Sequence, residues 1–143
     1  MRFKRYINET HILSEPLDVI LKSIVKPDRA RGEKLVWVDT DKFDKAWSKD
    51  KGFYIGPMGV GQIHNRYPDF IKLLQMPREQ RKPLLWGKKQ EITASEVYVD
   101  KNGEVSFSNG RHRFAVLRDL GAKKIPVSMS LAAVRNAQKF DYI

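Results

Sequence analysis

The chain contains no cysteine. Disulfides, thiolate nucleophiles and cysteine-held zinc or iron–sulfur sites are excluded on that ground. Long apolar runs are missing too: none approaches the roughly 18 residues that a membrane span needs. The basic start, Met1-Arg2-Phe3-Lys4-Arg5-Tyr6, lacks the apolar stretch of a signal peptide. A cytoplasmic protein without membrane contact is therefore expected. There is no Gly-x-x-x-x-Gly-Lys-Ser/Thr, no His-Glu-x-x-His and no Gly-x-Ser-x-Gly, so the common phosphate loop, zinc protease and hydrolase elbow are excluded as motif readings. Acidic residues are few, 17 against 27 Lys and Arg, leaving a net charge of +10. Such an excess favours polyanionic partners and speeds encounter with them.

What is present reads as one domain over residues 1–143, long enough to bury a core. Ser14, Glu15 and Pro16 form a helix-start signal. Leu17, Ile20, Leu21 and Ile24 then fall at i, i+3, i+4 and i+7, predicting an amphipathic helix over 14–26. Leu35-Val36-Trp37-Val38 reads as a short buried strand, and Asp39-Thr40-Asp41 starts a helix with Phe43, Ala46 and Trp47 on its apolar face. Residues 49–61 carry five glycines or prolines at close spacing, the mark of a loop that turns tightly or approaches something closely. A helix with Phe70, Ile71 and Leu74 inward follows. Val97, Val99, Val105 and Phe107 flank Asp100-Lys101-Asn102-Gly103, a hairpin signature. After Gly110, the residues Phe114, Leu117 and Leu120 repeat at helical spacing, with Gly121 as the C-terminal stop. A strand at Ile125–Met129 and a closing helix over Leu131–Lys139 complete an α+β domain with a small mixed sheet and packed helices.

The chemistry concentrates at Asn109-Gly110-Arg111-His112-Arg113. The first N–H groups of a helix have no internal partners, and that end carries about half a positive charge. Each cation placed there costs roughly 0.3–1 kcal/mol at an exposed site. Arg111, His112 and Arg113 together therefore require an anion. A phosphate fits, held by the N–H groups after Gly110 and by bidentate arginine bonds. The other way to compensate is a carboxylate from elsewhere, with Asp39, Asp41 and Asp44 available.

The same segment carries a resemblance. Glu104 to Ala115, with Leu120-Gly121 and Ile125-Pro126-Val127, is similar to the core of the ParB/sulfiredoxin superfamily, the clear match covering 98–130. The chain looks most like the small ParB-like proteins of phages and mobile elements. The resemblance implies a nucleotide triphosphate, ATP or CTP with Mg²⁺, whose phosphates lie at Gly110–Arg113. It leaves NTP hydrolysis, phosphoryl transfer and DNA cleavage as reactions. Arg111 stands where sulfiredoxin has its catalytic cysteine, so that reductase chemistry is excluded. The partition proteins have a glutamate at this position.

Arg113, His112 and Asp39 are the catalytic candidates, the first two neutralising charge that develops in phosphoryl transfer. Asp39 is the candidate Mg²⁺ ligand, its alternative role being a helix cap. His64 and Arg66, after the glycine-rich loop, can reach over the phosphates or lie on the surface. Trp37, Trp47, Trp86, Tyr54 and Tyr67 are candidates to stack bases, and otherwise core residues. The leading expectation is a nucleotide- or phosphate-binding protein acting on a phosphate bond. Its alternative is a non-catalytic module that binds DNA or a host protein.

Overall fold

A computed structural model describes residues 13, 16–26, 33–58, 62, 66–75 and 92–143. The expected first helix is shorter than its signals predict. Helix α1 covers Leu17–Ile24, and Val25–Lys26 form a strand, β1. Pro27 explains the stop, because a residue before proline is driven to extended backbone. The expected cap, Ser14, lies outside the described residues. Leu17, Ile20 and Leu21 are buried, as their spacing predicts.

Strand β2 (Glu33–Asp39) leads directly into helix α2 (Thr40–Trp47). Asp39 caps that helix, accepting from the Lys42 N–H at 3.0 Å. Phe43, Ala46 and Trp47 are all buried. Helix α3 (Pro68–Gln75) buries Ile71 and Leu74. Strand β3 (Ile92–Thr93) pairs in parallel with β1.

The remainder builds the main sheet: β4 (Ser95–Val99), β5 (Val105–Asn109), helix α4 (Arg111–Asp119), β6 (Lys124–Ser130) and helix α5 (Leu131–Lys139). Its order is β2-β6-β4-β5. β6 runs antiparallel to β2 and parallel to β4, and β4 and β5 form an antiparallel hairpin. The sheet is therefore mixed, and α4 is the crossover between its parallel strands. Pro126 lies in the central strand β6, where a missing N–H is usually costly. Its pairing with β4 begins only at Val127, so no β4 carbonyl waits for that N–H.

Alternation sets the faces. Val97 opposes Phe107 and Val99 opposes Val105, so these four share one face. On it Phe107, Phe114, Phe43 and Trp47 form a ring cluster, with centroids 4.5 Å apart for Trp47–Phe107 and 5.6 Å for Phe43–Phe114. Tilted and edge-on pairs of this kind contribute about 0.5–1.5 kcal/mol each beyond their burial. The cluster fixes α2 and α4 against β5, and so fixes where β5 ends and α4 begins. Tyr142 ties the chain's last residues to the same core. Its hydroxyl donates to the Gly103 carbonyl at 2.6 Å, and its own carbonyl accepts from the Asp39 N–H at 2.7 Å.

Candidate functional site

Gly110 separates β5 from α4 and is the N-cap residue of the helix, with φ of 79° in the left-handed region. Only glycine fits. A Cβ there would stand 2.8 Å from Ser95 Oγ, 2.9 Å from Ser95 Cα and 2.6 Å from Arg113 Nη2. The Ser95 hydroxyl donates to the Gly110 carbonyl at 2.7 Å, pinning the turn to β4. The same carbonyl accepts the first helical bond, from the Phe114 N–H. As the N-cap residue, Gly110 has no side chain with which to cap the helix, and the first turn holds no acidic residue.

The turn floors a cleft of about 640 Å³, lined by Phe53 and by residues 107–113. All five residues of the expected phosphate site are in that lining. His112 Nδ1 lies 2.7 Å from the Tyr67 hydroxyl. Burial, then the charges of Arg111 and Arg66, push the His112 pKa below its ordinary 6.5. The imidazole is thus neutral at neutral pH. Arg66 is exposed and lies over the Tyr67 ring at 5.9 Å. Through Tyr67 the structure brings Arg66 beside the turn. His64 lies outside the described residues, as does Trp86.

Arg111 sits over the Phe53 ring at 5.2 Å. Among the described residues no carboxylate pairs with it. Two of the three carboxylates proposed as alternative partners are engaged elsewhere. Asp44 binds Arg118 at 2.9 Å and accepts from the Tyr54 hydroxyl at 3.0 Å. Asp39 is spent on capping α2 and lies on β2, at the far edge of the sheet from β5. Three strand spacings separate those edges, roughly 14 Å. The structure therefore does not bring Asp39 to the turn. Among the described residues no group of three or more His, Asp or Glu is placed to hold a metal ion.

Two parts of the site escaped the sequence. One is Phe53, which is 60% exposed at the cleft. The other is the network that holds its loop. Arg118 donates to Asp44, to both oxygens of Asp119 and to the Ile55 carbonyl, while Asp119 accepts from the Met58 N–H at 3.1 Å. Burial disfavours the Arg118 charge, but the bonds to Asp119 and Asp44 outweigh it and hold its pKa above the ordinary value. Residues 50–58 are thereby strapped to α4. The only sequence signal for this was glycine density in the loop, which says that it approaches something and not what. Of the stacking candidates, Trp47 is fully buried, Trp37 and Tyr54 pack partly buried against the core, and Tyr67 bonds His112.

No helix among the described residues is long and apolar enough to cross a membrane. No curated protein and no solved structure matches the chain. Residues 35–141 do match the model of a protein family, described as plasmid fertility inhibition factor. The match starts in β2 and runs past the end of α5, so it takes in all of the main sheet but the first two residues of β2, and the Gly110 turn. That description is in keeping with a mobile-element protein. The chain belongs to the plasmid fertility inhibition factor family.

Proposed function

We propose that this plasmid protein binds a phosphate of a nucleotide or of DNA at Gly110–Arg113, and that fertility inhibition works through that contact. One observation carries the reading: a helix start with glycine at its N-cap and Arg, His and Arg in its first turn opens onto a cleft. The helix end and the cations repel one another, and an anion relieves both. The net charge of +10 draws such ligands in. The resemblance to ParB/sulfiredoxin proteins makes ATP or CTP the first nucleotides to try. Asp39 caps α2 on the far edge of the sheet, so in this reading magnesium would arrive on the triphosphate.

A second reading, that the held phosphate bond is also broken, is favoured by His112. In the tautomer whose Nδ1–H donates to Tyr67, Nε2 keeps a lone pair. That nitrogen can take a proton from an attacking water, and its lowered pKa keeps it ready to do so. A purely binding module needs no such group.

Titration with tripolyphosphate, ATP, CTP and short DNA tests the first reading. Arg113→Ala is expected to weaken binding roughly 10- to 150-fold, the loss of a charge-assisted pair. Gly110→Ala is expected to weaken it too and to cost about 1–3 kcal/mol of stability from the strained φ. If none of these ligands binds the wild type, the proposal is wrong. Phosphate release or DNA cleavage lost in His112→Gln supports the second reading. Salt-sensitive binding without turnover leaves the non-catalytic module.

A further inference from the structure

The cleft is larger than a phosphate needs. Its volume of about 640 Å³ is in the range of sites that hold whole small molecules. Its lining is also divided. The turn supplies cations and backbone N–H groups, while Phe53 and Phe107 add aromatic surface. Phe107 belongs to the core, packed on Trp47 and Phe114. Phe53 is different. It is the most exposed of the large apolar residues described, at 60%.

An exposed phenylalanine on a loose loop would say little. This loop is not loose. Tyr54, Ile55 and Met58, all within five residues of Phe53, are bonded to Asp44, Arg118 and Asp119. The Phe53 and Tyr54 N–H groups both bond the Asp50 carbonyl, which fixes the turn that presents the ring. Arg111 lies over the ring at 5.2 Å, so a cation of the phosphate turn and the aromatic surface are adjacent. A flat apolar ring beside a phosphate grip suits one chemical object: a nucleotide unit, with its phosphate on the turn and its base on the ring.

We propose that Phe53 is a base-stacking platform and that the ligand is a nucleotide unit whose base is unpaired. The inference rests on the phosphate reading of the Gly110 turn and narrows it. Stacking on a side chain needs an exposed base face, which a duplex buries and an inorganic phosphate lacks. Recognition is tolerant of sequence, because every base has a face to offer. A mononucleotide and single-stranded DNA share this chemistry.

The test compares five probes at fixed salt: tripolyphosphate, ATP, CTP, a single-stranded oligonucleotide and its blunt duplex. Phe53→Ala is expected to weaken the nucleotides and the single strand by roughly 5- to 150-fold, the value of one stacked base. Tripolyphosphate binding is expected to stay unchanged. Phe53→Trp is expected to restore binding. The wild type is expected to prefer the single strand to the duplex, and the relative loss for ATP, CTP and single strand shows which source is used. Unchanged nucleotide and single-strand binding in Phe53→Ala overturns the platform. So does an equal loss for tripolyphosphate, which would make Phe53 structural, or duplex binding as tight as single-strand binding. Failure of all five probes to bind the wild type instead overturns the phosphate reading beneath it.

Discussion

Arg118 and Arg111 lie on one helix, about two turns apart, and meet opposite surroundings. Arg118 is at the end where the helix dipole favours a cation. Its side chain is only 8% exposed, and two carboxylates and a carbonyl satisfy it. Arg111 is at the end where the dipole opposes a cation. It faces a cleft, with an aromatic ring beside it and no carboxylate among the described residues. The two arginines are chemically identical, so the difference lies in what the fold delivers to them. A cation that is already paired holds structure together. A cation placed against the local field, beside a ring and at a cleft, is available for a ligand.

The largest way to break that contrast is Arg118→Leu. It leaves Asp44 and Asp119 without their cation and frees the loop of Phe53. Breaking a buried pair of this kind costs about 3–5 kcal/mol, to be read by denaturant unfolding. A loss below 1 kcal/mol would show that the network does not hold the loop.

Arg111→Ala is expected to act in the opposite direction on stability. Removing a cation from the positive helix end should leave the fold unchanged or stabilise it by about 0.3–1 kcal/mol. Phosphate affinity should fall in the same variant. A clear destabilisation would mean that Arg111, like Arg118, is structural.

The smallest effect is that of pH. His112 has a folded pKa below its ordinary 6.5. A depressed histidine binds fewer protons folded than unfolded, so its contribution is present above pH 6.5 and is lost as pH falls towards the folded pKa. His112→Gln should flatten that part of the stability profile. Phosphate reverses the sign locally, because an anion favours the imidazolium. Affinity should therefore rise as pH falls from 8 to 6 in the wild type, and rise less in His112→Gln. Calorimetric titration at the two pH values measures both.

Much of this fold was legible. The stripe of Leu17, Ile20 and Leu21, the alternation around Asp100–Gly103 and the glycine stops at 110 and 121 each report a local rule of backbone and burial. Pro27 marked the end of the first helix, but that Val25 and Lys26 before it are extended depends on pairing with Ile92–Thr93, distant in the chain. The site was legible in part for the same reason. Gly110 with cations after it is a local conflict, and local conflicts show in a sequence. Tyr67 was visible as an aromatic but not as the partner of His112, from which it is distant in the chain. Asp39 looked like a neighbour of the turn because both end strands, yet the order β2-β6-β4-β5 puts them on opposite edges.

By itself, then, the sequence determined most of the elements, the excess of positive charge and a helix that begins with cations, because propensity, patterning and dipole are properties of neighbouring residues. Only the tertiary structure decided which arginine is paired and which is open, and that Phe53 stands at the cleft. Those outcomes depend on which distant carboxylate, hydroxyl or ring the packing of α2, α3 and the 50–58 loop brings within a few ångströms of α4.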